Sequence, residues 1–178
     1  LLYAAPDDFS GDALDLNRWE IFSNTPEHWN LAVGKLTIRA GKSDLWRMQD
    51  EAENLFLQRI PPDAGDFALE TRVEMDATRI NEQAFLVLWR DQDYYVTFAA
   101  ARQNKLRFVT TVEQFGKANA VVAPNELGWP FSLRIEKRGT MIETFASSDG
   151  KNWIPACRPV DIGDMQFTYV GLGAWSPG

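Results

Sequence analysis

The feature that most constrains this chain is an alternation of apolar and polar residues with a period of two, which returns along most of the sequence. Side chains alternate between the two faces of a β-strand, so this period is typical of strands that bury one face. Turn residues separate the runs, and the pair Asp149-Gly150 lies between two of them. Such a pair predicts a hairpin, because both central residues of a type I′ turn take positive φ.

Ten segments carry this strand pattern, and no segment of ten or more residues carries a convincing apolar stripe of helical period. The predicted strands are residues 34–39, 54–60, 67–75, 83–90, 94–101, 106–112, 131–136, 141–147, 152–156 and 167–175. With 178 residues the chain can bury a core without disulfides or metals, and we expect one domain over residues 1–178. Ten short strands in one domain predict an all-β fold, as a two-sheet antiparallel sandwich or a barrel.

On three of these strands the alternation separates a core row from an opposite row. The rows expected to face the core are Phe67, Leu69, Val73 and Met75, then Ala84, Leu86 and Leu88, then Val170, Leu172 and Ala174. The opposite rows are Glu70, Arg72 and Glu74, then Gln83, Phe85, Val87 and Trp89, then Gly171, Gly173 and Trp175. Aromatic rings, amides, charges and small glycines together indicate a ligand surface more than a plain solvated face.

Composition excludes several classes of function. The net charge of −7 at pH 7 repels nucleic acids and anionic membranes, so neither is an expected partner. No apolar run approaches the roughly 18 residues of a membrane span. Cys157 is the only cysteine, so an intramolecular disulfide cannot form. His28 is the only histidine, and we expect it to be a surface or hydrogen-bonded residue.

A series of short motifs follows a recognisable order along nearly the whole chain. It consists of Asp8-Phe-Ser-Gly11, Leu16-Asn-Arg-Trp19, Gly34-Lys-Leu-Thr-Ile38, Asn54-Leu-Phe-Leu-Gln58, Gly65-Asp-Phe-Ala-Leu-Glu-Thr-Arg-Val73, Gln83-Ala-Phe-Leu-Val-Leu-Trp89, Asp93-Tyr-Tyr-Val96, Ser147-Ser-Asp-Gly-Lys-Asn-Trp153 and Val170-Gly-Leu-Gly-Ala174. The series resembles concanavalin A-like (laminin G-like) domains. In particular it is similar to the C-terminal domain of β-xylosidases in glycoside hydrolase family 43, and to related stand-alone domains.

The resemblance implies a jelly-roll sandwich with a concave face that often holds polysaccharide. It also implies an extracellular or periplasmic location, with a polysaccharide or oligosaccharide, or a covalently linked catalytic domain, as partner. No cofactor is expected. Structural calcium is common in such domains, and Asp7 or Asp8 would then contribute a ligand. One residue departs from the motif: Phe85 stands where the family has glycine, and its ring is expected to fill part of the concave face.

The candidate carbohydrate site combines rings for stacking on sugars with polar groups for their hydroxyls. Its predicted members are Trp89, Trp175, Gln58, Gln83, Arg72 and Glu70, with Trp46 on a loop at the rim. The alternative is that Trp89 and Trp175 cap the core edge and that Glu70 and Arg72 form an ordinary ion pair. On the first interpretation the chain is a non-catalytic carbohydrate-binding module for xylan or a related plant polysaccharide.

Two other functions stay open. A small glycoside hydrolase or lyase would use Glu70, Glu74 and Asp76; two acids two residues apart on one strand are separated by about 6.5–7 Å. That separation suits an inverting glycosidase, which needs about 6.5–9.5 Å. However, Arg79 stands where concanavalin A-like glucanases place a third carboxylate. The remaining alternative is a structural accessory domain of a larger glycoside hydrolase.

Overall fold

The structure is a computed structural model that describes residues 2–3, 6–42, 44–47, 49 and 51–176. Within those residues it consists of strands, joined by turns, and one short 3-10 helix at Pro26–His28. The strands are β1 (Leu2–Tyr3), β2 (Glu20–Phe22), β3 (Trp29–Ala32), β4 (Lys35–Ile38), β5 (Leu55–Arg59), β6 (Phe67–Val73), β7 (Gln83–Asp91), β8 (Tyr94–Arg102), β9 (Leu106–Gln114), β10 (Lys117–Pro124), β11 (Phe131–Arg138), β12 (Met141–Ser147), β13 (Ile154–Pro155), β14 (Val160–Asp161) and β15 (Tyr169–Trp175).

A seven-stranded antiparallel sheet is the larger layer, with strand order β10-β9-β8-β7-β15-β5-β2. Its inner face contributes Leu86, Leu88, Val96, Phe98 and Val170 to the main core. Its outer face carries a second cluster of buried side chains, which includes Phe85, Val87, Trp89, Tyr95 and Trp175. This sheet is therefore buried on both faces.

The second layer is a six-stranded sheet of order β1-β6-β11-β12-β13, in which β14 also pairs with β12. Strand β1 runs parallel to β6 and the other pairs are antiparallel. The row Phe131, Leu133 and Ile135 of β11 packs into the main core, because these side chains alternate inward. The two sheets therefore enclose one core, and the prediction of an all-β sandwich is confirmed.

The hairpin β3–β4 is a separate two-stranded sheet. Trp29, Leu36 and Ile38 of this hairpin pack with Trp19 and Phe56 in a third cluster. Leu172 belongs to the partly buried shell of both this cluster and the main core. The hairpin thus covers the same face of the seven-stranded sheet as the six-stranded sheet does.

The face assignments made from alternation are confirmed on β6, β7 and β15. The strand boundaries are less accurate. Strand β6 ends at Val73, so Met75 lies beyond it, and the prediction missed the short strands β1, β2 and β14 as well as β3 and β10. Strands β3 and β10 contain alanine and asparagine, which weakens the strand signal.

The predicted two-residue turn at Asp149-Gly150 is wrong. Only Gly150 has a positive φ, of 71°, and six residues separate β12 from the short strand β13. Asp149 instead accepts hydrogen bonds from the backbone N–H groups of Lys151 and Asn152 and from the Ser147 hydroxyl. These bonds, with the Asn152 bonds the strongest contributors, lower the pKa of the Asp149 carboxyl. A carboxylate-centred loop therefore replaces the tight turn.

No helix in the described part of the chain has both the length and the apolar character needed to cross a bilayer.

The turn between β3 and β4 gives the first prediction. Val33 and Gly34 form its two central residues, both with positive φ, and Val33 is 98 % exposed. A β-branched residue in this conformation is strained by about 1–2 kcal/mol, whereas asparagine tolerates it. We expect Val33→Asn to raise the free energy of unfolding by about 1 kcal/mol in urea denaturation. The control is Val122→Asn, on an exposed position of β10, which should give no gain; a gain at neither position would contradict the account.

Candidate functional site

The outer face of the seven-stranded sheet is the face that the resemblance makes a ligand surface. Phe85, Trp89 and Trp175 lie on it as predicted, yet Trp89 and Trp175 are each only 4 % exposed. Their rings pack on one another: Phe85 and Trp175 have centroids 4.1 Å apart, and Trp89 lies 6.0 Å from Tyr95 and 5.4 Å from Phe22. These rings are therefore packed together and do not form an open stacking surface on this face. They form a second core.

Residues 44–47, here called the covering segment, close part of this outer face. Leu45 is fully buried among the outer-face side chains. The Tyr95 hydroxyl lies 2.8 Å from the Leu45 carbonyl oxygen and 2.9 Å from Glu113 Oε2. The Arg47 backbone N–H donates to the same Glu113 oxygen at 2.9 Å. The segment is thus fixed to the floor of the sheet by one buried tyrosine–glutamate pair.

Trp46, the predicted rim residue, belongs to this covering segment. It is half-buried, and the Arg47 guanidinium lies 5.4 Å from its ring centroid. Asp44 starts the segment and accepts hydrogen bonds from the N–H groups of Leu45 and Trp46. Burial raises the pKa of the Asp44 carboxyl in spite of these bonds. Trp46 is therefore part of the structure that covers the outer face.

A crevice of about 1160 Å³ opens beside the main core, where the second layer is incomplete. We call it the edge crevice. Every residue of 34–40 and every residue of 68–77 lines it. A strand that presents every residue, and not every second one, turns its edge toward the space. The edge crevice is therefore the gap between the edges of β4 and β6.

Within the described residues these two strand edges are unpaired along most of their length. There β4 pairs with β3 alone, and β1 pairs with β6 at Phe67 and Ala68. Unpaired edges offer backbone N–H and C=O groups to whatever lies between them. Polar backbone groups therefore line both walls.

The floor of the edge crevice is the inner face of β5 and β15. Gln58, Val170, Leu172 and Ala174 lie there. Gln58 is 8 % exposed, and no residue in the described part of the chain makes a hydrogen bond to its side-chain amide. The buried polar atoms without partners among the described residues belong to other side chains, so the Gln58 amide opens into the edge crevice, where solvent or a ligand can pair with it. This side chain therefore marks a place where a polar ligand would find donors and acceptors.

The edge crevice brings together most of the predicted site residues. Its lining includes Gln58, Glu70, Arg72, Glu74, Asp76, Gln83 and Trp175, whereas Trp46 and Trp89 do not line it. Residues that the sequence analysis did not select also line it, among them Phe9, Trp19, Lys35, Thr37, Arg39 and Trp153. Most of those belong to the β3–β4 hairpin and the segment before β2. Their proximity to β6 depends on the layer arrangement, which no local pattern indicates.

The alternative of an ion pair between Glu70 and Arg72 is not what the structure shows. Glu70 is the cross-strand neighbour of Arg134 and pairs with its guanidinium at 2.6 Å. The same guanidinium lies 4.1 Å from the centroid of the Trp153 ring. Among the described residues, the hydrogen bond of Arg72 is a long one, of 3.5 Å, to the Pro130 carbonyl oxygen. Arg72 therefore forms weaker contacts within the protein than Arg134 does, and it lines the edge crevice.

The geometry behind the catalytic alternative is absent. Glu74 and Asp76 follow the end of β6, so they do not occupy one face of a strand as the sequence predicted. Glu74 is exposed and lies 3.8 Å from the Lys35 ammonium, and Glu70 is held by Arg134.

The lone histidine and the predicted metal ligands have partners within the chain. His28 Nδ1 lies 2.8 Å from Glu53 Oε1, which confirms a hydrogen-bonded histidine. Asp7 accepts hydrogen bonds from the Phe9 N–H and the Trp19 indole, and Asp8 accepts one from the Ser10 N–H. Among the described residues no group of three or more His, Cys, Asp or Glu side chains could hold a metal ion. These donors do not fit calcium, which takes six to eight oxygen ligands.

Comparison with proteins of known structure identifies the type of domain. The chain has the fold of a domain found in glycoside hydrolase family 43 (GH43) proteins, as the motif series predicted. A mutant of the GH43 protein BlXynB from Bacillus licheniformis matches over 95 % of this chain with a TM-score of 0.81 and 21 % identity. A xylan β-1,4-xylosidase from Bacillus halodurans matches over 96 % with a TM-score of 0.76 and 17 % identity. The chain covers only 35 % of each of those proteins.

A functionally unknown protein from Saccharomyces cerevisiae has nearly the same extent as this chain. It matches over 92 % of this chain and 90 % of its own length, with a TM-score of 0.70 and 18 % identity. Residues 22–178 match the family model described as protein of unknown function (DUF1349), and the chain belongs to that family. No curated protein matches the sequence.

The buried pair under the covering segment gives the second prediction. Tyr95→Phe removes the hydroxyl between the Leu45 carbonyl and the Glu113 carboxylate, and leaves both buried acceptors with one partner fewer. The expected loss is about 1–3 kcal/mol in the free energy of unfolding, measured by urea denaturation. Tyr94→Phe, one residue earlier and on the other face of β8, is the control. Equal losses in the two variants would show that the covering segment is not fixed by Tyr95.

Proposed function

We propose that this chain is a non-catalytic carbohydrate-binding domain that holds an oligosaccharide in the edge crevice and serves as an accessory domain. The observation that carries the proposal is the Gln58 amide, which is 8 % exposed on the crevice floor without a hydrogen bond to any described residue. An amide offers two donors and a carbonyl acceptor. Sugar hydroxyls, which both donate and accept, match that set.

Other groups around the edge crevice suit the same ligand. Gln83 borders the space at the start of β7, and Arg72 supplies a guanidinium fork at the wall. The rings of Phe9, Trp19 and Trp153 also line the space. Aromatic faces pack on the apolar faces of pyranose rings, while the unpaired edges of β4 and β6 add backbone donors and acceptors. This combination of rings and neutral polar groups supports a sugar ligand.

The size of the edge crevice supports an oligosaccharide over a single sugar. Ligand pockets usually enclose about 300–1,000 Å³. The edge crevice, at about 1160 Å³, exceeds that range. It is therefore large enough for several sugar rings in a row.

The fold suggests the biological setting. Solved proteins of similar fold include a xylan β-1,4-xylosidase and a GH43 protein, and this chain corresponds to about a third of each. Within the proposal the ligand is xylan or a related plant polysaccharide, and the domain works beside a catalytic domain outside the cell or in the periplasm. The net charge of −7 disfavours nucleic acids and anionic membranes as partners.

A second candidate is a structural accessory domain that only supports a catalytic partner. The observation that favours it is Phe115, 77 % exposed at the tip of the β9–β10 hairpin with a positive φ of 54°. An exposed ring held in a strained turn is suited to docking against another protein surface. This role requires no affinity for free glycans.

The third prediction tests the binding role by calorimetry against linear xylo-oligosaccharides. Gln58→Met keeps the size of the side chain and removes its hydrogen-bonding groups, so we expect about tenfold weaker binding, corresponding to about 1.4 kcal/mol. Gln166→Met, at an exposed position outside the edge crevice, is the matched control and should bind as the parent protein does. Circular dichroism would verify that each variant is folded.

Reducing-sugar release on the same samples separates the alternatives. Binding that weakens in Gln58→Met without product release supports the proposal. Binding that is unchanged in Gln58→Met would remove the edge crevice as the site. If the calorimetry detects no heat of binding for any glycan, the structural accessory role is favoured.

A further inference from the structure

We propose that the edge crevice selects neutral oligosaccharides and discriminates against glycans that carry carboxylate groups, an inference that rests on the proposed function. The observation is the charge of the lining. The carboxylates that line the edge crevice are Asp7, Asp8, Glu70, Glu74, Asp76 and Glu82, and the cations are Lys35, Arg39 and Arg72. Six carboxylates against three cations leave an excess of three negative charges.

The excess persists when Arg134, the partner of Glu70, is included. Arg134 holds Glu70 from the outer side of the six-stranded sheet, and counting its charge still leaves two more carboxylates than cations. Lys35 is the partner of Glu74, at 3.8 Å, so its charge is already matched. A ligand carboxylate in the edge crevice would therefore meet net repulsion.

Local hydrogen bonds keep several of these carboxylates ionised. Glu82 accepts bonds from the backbone N–H groups of Thr78 and Arg79 and from the Ser176 hydroxyl. These bonds, with that from Arg79 the strongest contributor, lower the pKa of the Glu82 carboxyl. Bonds from Ser10 likewise lower the pKa of Asp8. Both groups are therefore charged at neutral and at mildly acidic pH.

The second observation is the Gln58 amide on the floor of the edge crevice, because it indicates which groups a ligand would carry. Gln58 is more than nine-tenths buried, lines the floor and has no hydrogen bond to its amide from the described residues. The other floor residues, Val170, Leu172 and Ala174, are apolar, so this floor contributes no cation to hold an acidic sugar. A neutral amide on an apolar floor can both donate to and accept from sugar hydroxyls, whereas a carboxylate could use only its N–H donors and would leave its carbonyl oxygen unpaired.

The expected discrimination is modest because the edge crevice is open to solvent. Charges about 7 Å apart in water interact weakly, and salt screens them over a Debye length of about 10 Å at 0.1 M. A net excess of two or three charges should weaken the binding of a singly charged oligosaccharide by about two- to fivefold at low salt. The difference should shrink as salt is added.

The test compares two ligands of the same size. One is an oligosaccharide of xylose with a single glucuronate branch, and the other is the same molecule after reduction of its carboxyl group to an alcohol. Calorimetry would measure both at ionic strengths of about 0.02 M and about 0.3 M. We expect the reduced form to bind two- to fivefold more tightly at low salt, and the two forms to converge at high salt.

A pair of variants assigns the effect to the edge crevice. The double variant Glu74→Gln with Asp76→Asn removes two exposed carboxylates and frees Lys35, so the affinity ratio of acidic to reduced ligand should rise at low salt. The control is Glu126→Gln with Asp164→Asn, an equal charge change at exposed positions outside the edge crevice. The control should leave that ratio close to the parent value.

The outcomes distinguish the two proposals. Failure of the reduced ligand to bind would overturn the proposed function. Tight binding of both ligands with equal affinity at low salt would overturn the charge selection and leave the binding role intact. Tighter binding of the acidic ligand, or an equal response of the two double variants, would also overturn the charge selection.

Discussion

The burial of both faces of the seven-stranded sheet is the constraint on which the rest of the structure depends. On β7 five consecutive residues, Phe85, Leu86, Val87, Leu88 and Trp89, are all buried. One face packs against the six-stranded sheet, and the other packs under the covering segment and Phe22. The buried rings of that outer face are therefore not presented to a polymer. The edge crevice lies where the second layer is incomplete.

The sequence predicts the alternation of faces but not the covering of the second face. That Trp89 and Trp175 share a face follows from a period of two, and the structure confirms it. Their burial depends on Leu45, which is distant from β7 in sequence, and on the Tyr95–Glu113 pair that fixes the covering segment. A signal was nevertheless present, because an uninterrupted apolar run is typical of strands buried on both faces. Ending the predicted strand at Val112 also left Glu113 outside the pattern.

The members of the edge crevice were easier to predict than its architecture. Gln58, Arg72 and Gln83 lie on three strands that the sequence located. That two strand edges face each other across a gap depends on pairing between distant segments, and the weakly patterned β3 was missed. Strand ends are set by one or two residues of local conformation. Alternation does not show where a strand ends, so it could not predict that Glu74 and Asp76 lie past the end of β6.

The central claim is that a glycan occupies the edge crevice and not the outer face of the seven-stranded sheet. The most direct measurement is an NMR titration of the assigned, nitrogen-15-labelled protein with a neutral xylo-oligosaccharide, which follows the Gln58 side-chain amide and the indole N–H of Trp89. The account predicts shifts at Gln58 and along the backbone amides of β4 and β6, with Trp89 unchanged. Shifts at Trp89 and Tyr95 with none at Gln58 would contradict it.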